Sequence, residues 1–332
     1  MIGGLLALAS AVTFAYANAS VRRGVLTGTV LQAVAISLPV ALPFFVLAML
    51  MTGGFHPLAS FSWRSLGLLA LAGVIHFAWA RHCNYRATKA MGANLVAPIQ
   101  QYSLVITLVL AVVWLGEALT LLRIIGIVLV IVGPALTHER GNASPAPEAA
   151  SSGANGDIKP YKPDLAEGYF YGLLSAIGFG ISPILIGMAF DAKGIAVGVA
   201  GGFVSYAAAT AAIALILISP RQWRSFKSVD GESAKWFVIS GIAVCFSQMF
   251  RYMALAIAPV SVVTPIQRLS LVFRIYFGWM LNPHHEVFGG RVIWGTVISL
   301  AGAVALSVST DSVLRSIPIP ASVLPLLTWH WP

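Results

Sequence analysis

Charge is what this sequence has least of. Only 9% of its 332 residues are charged, against 58% hydrophobic. A soluble domain carries about a quarter charged residues, so the shortage excludes an ordinary water-facing surface. Acidic residues are scarcest, 11 against 20 Lys and Arg, and the net charge is +9. The bases sit mostly at the ends of apolar runs and form no polar segment interleaved with aromatics. That placement suits lipid headgroups, and nucleic acid is not expected as a partner. There are two cysteines, Cys83 and Cys245, both inside apolar runs. Two buried thiols make neither a disulfide framework nor a zinc site, so inert thiols are expected. An Asp-rich metal motif, HExxH, P-loop and serine nucleophile elbow are all missing. No metal or cofactor is expected, and an enzyme is the weaker reading.

What fills the chain instead is long apolar runs. We read ten of them, at about 2–20, 30–51, 66–88, 94–115, 119–137, 168–189, 196–218, 235–256, 261–281 and 291–309. About twenty apolar residues cross the hydrocarbon core as a helix, and lone strands would leave backbone groups unpaired in lipid. The first run precedes Ala15-Tyr16-Ala17, a signal-peptidase-like triplet, but no basic residue precedes it. It is read as the first membrane helix. Between the fifth and sixth runs lies a stretch rich in Ala, Ser, Gly and Pro (NASPAPEAASSGANGD), read as a flexible polar linker. The tail VLRSIPIPASVLPLLTWHWP is apolar, yet Pro318, Pro320 and Pro325 interrupt it. An eleventh span is not expected there. Trp329 and Trp331 suit a segment lying on the membrane.

The chain also repeats itself. Residues 97–105 read APIQQYSLV and residues 264–272 read TPIQRLSLV. In this register Tyr85 falls on Tyr252, Ala87 on Ala254, Pro98 on Pro265, Gln100 on Gln267 and Ser103 on Ser270. Past a short insertion, Glu117 falls on Glu286, Gly126 on Gly295 and Gly133 on Gly302. Five spans precede the linker and five follow it, and an odd number per half inserts the copies in opposite orientations. The expected fold is therefore an all-α integral membrane protein of ten transmembrane helices in two inverted five-helix repeats. The expected divisions are 1–138, a linker at 139–167, 168–310, and a tail at 311–332.

This pattern of small-residue helix, proline, Glu and two glycines seven apart, occurring twice, resembles the EamA domain of the drug/metabolite transporter superfamily. Ala87, Pro98, Glu117, Gly126 and Gly133, then Ala254, Pro265, Glu286, Gly295 and Gly302, carry the resemblance. It implies a central cavity, alternating access and both termini in the cytoplasm. It leaves the substrate open, since the family moves many small metabolites. The Lys/Arg bias alone would put both termini outside. The family orientation is the one adopted.

Arginines inside the spans are the departure from an ordinary membrane sequence. Arg81, Arg251, Arg268 and Arg274 fall within expected helices. An arginine at a helix centre costs about 2.5–3.5 kcal/mol on insertion scales. Carboxylates to pair with them are scarce, and a guanidinium fork fits carboxylate or phosphate oxygens. Arg268, Arg274 and Arg251 are therefore candidates to hold an anionic or zwitterionic substrate, with Arg81 also in the set. For Arg81 and Arg251 the competing reading is a side chain reaching headgroups. Gln100, Gln101 and Gln267 follow Pro98 and Pro265 by two or three residues. Each proline opens its helix, placing amides beside freed carbonyls. The competing reading is interhelical glue. Tyr85 and Tyr252 are matched across the halves and could line a cavity. His76 and His82 are the titratable groups near neutrality, with a proton relay as the minor reading. Glu117 and Glu286 are expected to cap the helices that follow them. The matched glycines are expected to let helices approach closely.

The functional expectation is a secondary transporter for a small metabolite in the cell membrane, needing no second chain to enclose its cavity. The alternatives are a flippase for a lipid-linked anion and, from another class, an integral membrane transferase.

Overall fold

The computed structural model describes residues 2–115, 119–138, 163–190, 194–257, 266–307 and 330–331. Pro265, Glu117, Asp191, almost all of the linker and most of the tail lie outside these residues.

The described chain is helical. Helix α1 (Ile2–Gly24) is followed by α2 (Val30–Thr52). Thr29 and Gln32 form a reciprocal cap at the start of α2, and Gly53, at φ 73°, ends it in the left-handed region. A short helix, α3 (Phe55–Ser60), leads to α4 (Trp63–Gly73), a π-helical turn (Val74–Ala80) and α5 (Arg81–Met91). Together these three make one membrane-length helix, Trp63–Met91. Gly92, at φ 87°, separates α5 from α6 (Ala93–Ile99), which contains Pro98 and opens at Gln100. Then come α7 (Tyr102–Leu115) and α8 (Leu121–His138). The second half holds α9 (Leu165–Ala189), α10 (Ile195–Leu217), α11 (Pro220–Lys227), α12 (Gly231–Ile257), α13 (Ser270–Leu281) and α14 (Gly290–Ser307).

Among the described residues six helices are long and apolar enough to cross a membrane: Ile2–Gly24, Val30–Thr52, Trp63–Met91, Leu165–Ala189, Ile195–Leu217 and Gly231–Ala254. The other four expected runs take a different form. The run at 94–115 is broken at Gln100 and Gln101 into α6 and α7. The runs at 119–137 and 291–309 contain shorter apolar helices, Ile124–Gly133 and Gly290–Ala305. The run at 261–281 is described from Ile266 onward, with a turn at Leu269 before α13. A further difference is a two-residue antiparallel pairing of Leu119–Thr120 with His330–Trp331, which ties the tail to the start of α8. Large apolar side chains point outward around the bundle, among them Trp63 at 89% exposure and Ile218 at 72%. Outward apolar surface on this scale suits lipid, not water. The chain is a multi-pass membrane protein.

Helices from before and after the linker interleave. Helix α1 packs along α12 and α13, and α9 packs along α4, α5 and α7. Helix α2 packs on α10 and α12, α10 on α4, and α8 on α14. The α8–α14 contact depends on the matched glycines. A Cβ at Gly133 would come 2.0 Å from the Ser299 hydroxyl, and one at Gly302 would come 2.8 Å from the Gly126 carbonyl. At Gly73, just before the π-turn, a Cβ would sit 2.1 Å from the Ser205 carbonyl, so α4 touches α10 backbone to backbone. The largest buried cluster joins Leu38 and Phe45 of α2, Phe77 of the π-turn, Tyr206 of α10 and Phe237 of α12.

Candidate substrate site

The π-turn and the two halves' helices converge on one small cavity. Its lining comes from α1 (Phe14, Ala17, Asn18), the π-turn and α5 (His76, Arg81, Asn84, Tyr85), α9 (Phe179) and α12 (Val244, Gln248). Both sides of the linker therefore contribute. The free space is about 10 Å³, room for a water-sized body.

Arg81 is buried inside the bundle, at 3% exposure. Its Nη2 donates to the Tyr206 hydroxyl at 2.9 Å. Its guanidinium carbon lies 5.0 Å from the Phe77 ring and 5.4 Å from the Tyr206 ring. Aromatic faces stabilise a cation that water cannot reach. Its Nη1 is buried without a hydrogen-bond partner. A charged donor left unbonded inside a protein is costly, and an acceptor entering the cavity would relieve it. The π-turn rotates the helix just ahead of Arg81, a device common where a helix must aim functional side chains.

Three amides continue from the cavity to the break in the fourth run. Gln100 Nε2 donates to Asn84 Oδ1, Asn84 Nδ2 donates to Asn18 Oδ1 at 3.3 Å, and Asn18 Nδ2 donates to the Phe14 carbonyl at 2.7 Å. Gln100 thus ties the opened helix to α5 and α1. Gln101 donates to the Ala97 carbonyl at 3.3 Å, while its Oε1 is buried without a partner. Across the cavity, His76 Nδ1 meets the Ser182 hydroxyl of α9 at 2.6 Å.

The remaining predicted residues form a neighbouring group. Arg274 is 2% exposed, and its Nε and Nη1 are buried without hydrogen-bond partners. Its guanidinium carbon lies 4.9 Å from the ring of Phe14, which is itself part of the cavity wall. The Nε of Arg268 is likewise buried and unbonded. Arg268 lies within electrostatic reach of both Arg251 and Arg274, and His76 within reach of Arg251 and Arg81. Gln267 donates to the Ser10 hydroxyl at 3.3 Å, and Ser10 donates to the Ser247 carbonyl at 2.8 Å. Tyr252 is 7% exposed. The structure thus brings Arg81 and Tyr85 into the cavity itself. It sets Arg274 against the cavity wall, with Arg268 within electrostatic reach of Arg274 and Arg251. Tyr252 lies with α10.

Asn18, Asn84, Gln248, Phe14 and Phe179 were not singled out from sequence, yet a signal for them existed. The register that pairs Tyr85 with Tyr252 also pairs Arg81 with Gln248 and Asn84 with Arg251. The segments Ser10-Ala11-Val12-Thr13-Phe14 and Ser175-Ala176-Ile177-Gly178-Phe179 match as well.

Glu286 corrects an expectation. It does not cap the helix that follows it. Its two oxygens accept from the backbone N–H groups of Ala93 at 2.6 Å and Asn94 at 3.0 Å, at the start of α6. The α6 N-terminus is a buried helix end with free donors, so it competes successfully for the carboxylate. Arg22, 3.8 Å from Glu286, donates to the carbonyls of Thr88, Lys89 and His285.

A crystal structure 15% identical in sequence superposes with a TM-score of 0.55, covering 91% of this chain and 94% of its own, which speaks to the fold alone. No curated protein matches the chain. Residues 1–138 match the model of the EamA-like transporter family.

Proposed function

We propose that the protein is a secondary transporter that moves a small anionic or zwitterionic metabolite across the cell membrane, through a cavity between residues 1–138 and 168–310. The observation that carries this reading is Arg81, which is 3% exposed, lines the cavity between both halves and has an unbonded Nη1. Among the described residues the one buried carboxylate is Glu286, and it is committed to Arg22 and the α6 N-terminus. An anionic group entering the cavity would give Arg81 its missing partner.

Alternating access is supported by how the contacts pair up. If the five runs of each half correspond in order, the α1–α12 contact is the counterpart of α9–α5, and α1–α13 of α9–α7. Contacts α2–α10 and α8–α14 are each their own counterpart. An inverted repeat with such cross-packing can rock one half against the other around a fixed site. The water-sized cavity corresponds to a closed stage of that cycle. The breaks at Gln100 and Leu269 lie where such helices would bend.

The test is thermal stability of the purified protein in detergent against organic acids, phosphorylated sugars, amino acids, nucleosides and cationic drugs. A ligand at a hundred times its dissociation constant adds about 2.7 kcal/mol to the folded state. Anions are expected to stabilise the wild type and not Arg81→Gln. Stabilisation by cations alone would end this reading. Stabilisation by anionic lipids alone would favour a flippase.

A further inference from the structure

The unpaired donors do not all lie in one place. Arg81, whose Nη1 is unpaired, lines the cavity, while Arg274 Nε, Arg274 Nη1 and Arg268 Nε are in the neighbouring group. Phe14 touches both places, since its ring lies 4.9 Å from the Arg274 guanidinium carbon and also walls the cavity. Among the described residues the one buried carboxylate is Glu286, which is within electrostatic reach of Arg274 but bonded to the α6 N-terminus. Arg81, Arg251, Arg268 and Arg274 together exceed that single carboxylate, which Arg22 also shares. One negative charge on a ligand would satisfy Arg81 and leave the second group as it is. Buried like charges held near one another, with donors unused, call for a second counter-charge.

Resting on the transport reading above, we propose that the substrate site is a two-anchor site for an organic dianion. One acidic group is held by Arg81 and the other by Arg268 and Arg274, and the two places join when the Phe14 side chain swings aside. Its partner Phe179 occupies the matching position in the other half and packs on His76, with ring centroids 4.7 Å apart. Phe179 thus stays as wall while Phe14 moves. Because moving Phe14 costs free energy, the competent form is a fraction of the population, and apparent affinity is reduced by that fraction.

The experiment compares dianions with monoanions of matched size. Aliphatic dicarboxylates from malonate to adipate and glycerol phosphate are set against monocarboxylates of equal length, at constant ionic strength. Wild type, Arg81→Gln, Arg274→Gln, Arg274→Lys and Phe14→Ala are each checked for a monodisperse elution profile, and melting temperature is followed against concentration. At least one dianion is expected to act at about tenfold lower concentration than its monoanionic partner, the margin of one added ion pair. Arg274→Gln is expected to remove that preference while leaving the monoanion response, and Arg274→Lys to keep part of it. Phe14→Ala is expected to lower the dianion concentration needed. If monoanions act as well as dianions, or Arg274→Gln keeps the preference, the two-anchor site is wrong and the anion-transport reading survives. If no anion of either kind acts, both fall.

Discussion

Arg22 and Glu286 lie 3.8 Å apart with side-chain exposures of 1% and 0%, and together they fasten three segments of chain. Arg22 holds the carbonyl end of α5, and Glu286 holds the amide start of α6. His285, in the loop before α14, gives its carbonyl to Arg22 at 2.6 Å. The clasp fixes the hinge at Gly92, where a Cβ would come 2.6 Å from a Glu286 oxygen.

Removing one partner of this buried pair should be costly. Glu286→Ala is expected to destabilise the protein by about 3–5 kcal/mol, because Arg22 loses its counter-charge and two N–H groups lose their acceptor. Unfolding in detergent measures it. A loss below 1 kcal/mol, roughly what an exposed pair is worth, would mean the clasp is not structural.

The same loop gives a pH dependence. Burial, followed by repulsion from Arg22, Arg23 and His284, holds the His285 imidazole below its ordinary 6.5. The folded protein therefore binds fewer protons at this site than the unfolded chain does. The stability His285 contributes is present above 6.5 and is lost as pH falls through its folded value. Burial pushes Glu286 the other way, above 4.5, while Arg22 and the α6 amides pull it back. Its contribution is present at low pH and is lost as pH rises through the folded value. A variant comparison separates the two. Between about pH 7.5 and pH 5, His285→Asn should lose less melting temperature than the wild type. Equal losses would remove His285 from the account.

Packing of α8 on α14 should be intolerant of bulk. A side chain at position 133 meets Ser299 Oγ at 2.0 Å and the Gly295 carbonyl at 2.7 Å. Overpacking of this kind costs about 1–3 kcal/mol, so Gly133→Val should lower the melting point clearly. Gly67→Ala, where a Cβ meets nothing within 4 Å, is the control and should change little. Similar effects from both would show that the close contact is not formed.

Much of this was legible in the sequence because membrane burial writes strong, local signals. The first run became α1 and the second α2 because twenty apolar residues in lipid have one stable form. The matched glycines were legible as close contacts, since small residues at a fixed spacing serve little else. Arg81 was legible as a candidate but not as central. The π-turn that aims it carries no periodicity of its own in VIHFAWA. Asn18 and Gln248 were missed because single amides in apolar helices look alike until helices from both halves meet. Glu286 was placed on the wrong helix for a related reason. Its partners at positions 93 and 94 lie nearly two hundred residues away, and helix capping judged from sequence looks only at neighbours. The split of the fourth run at Gln100 followed from Pro98, two residues earlier.

Orientation gives a further expectation. The termini are expected in the cytoplasm, against the Lys/Arg bias. A reporter active only in the cytoplasm, fused after Pro332, should be active. An inactive reporter, with a fusion in the loop at 25–29 active instead, would invert the assignment in line with the charges.

The most direct measurement is counterflow in liposomes holding the purified protein and an unlabelled anion found by thermal stabilisation, with the same anion labelled outside. The account predicts a transient internal excess of label in the wild type and its loss in Arg81→Gln of unchanged elution profile. An equal excess in that variant, or none in the wild type, would contradict an arginine-held anion site that alternates between the two sides.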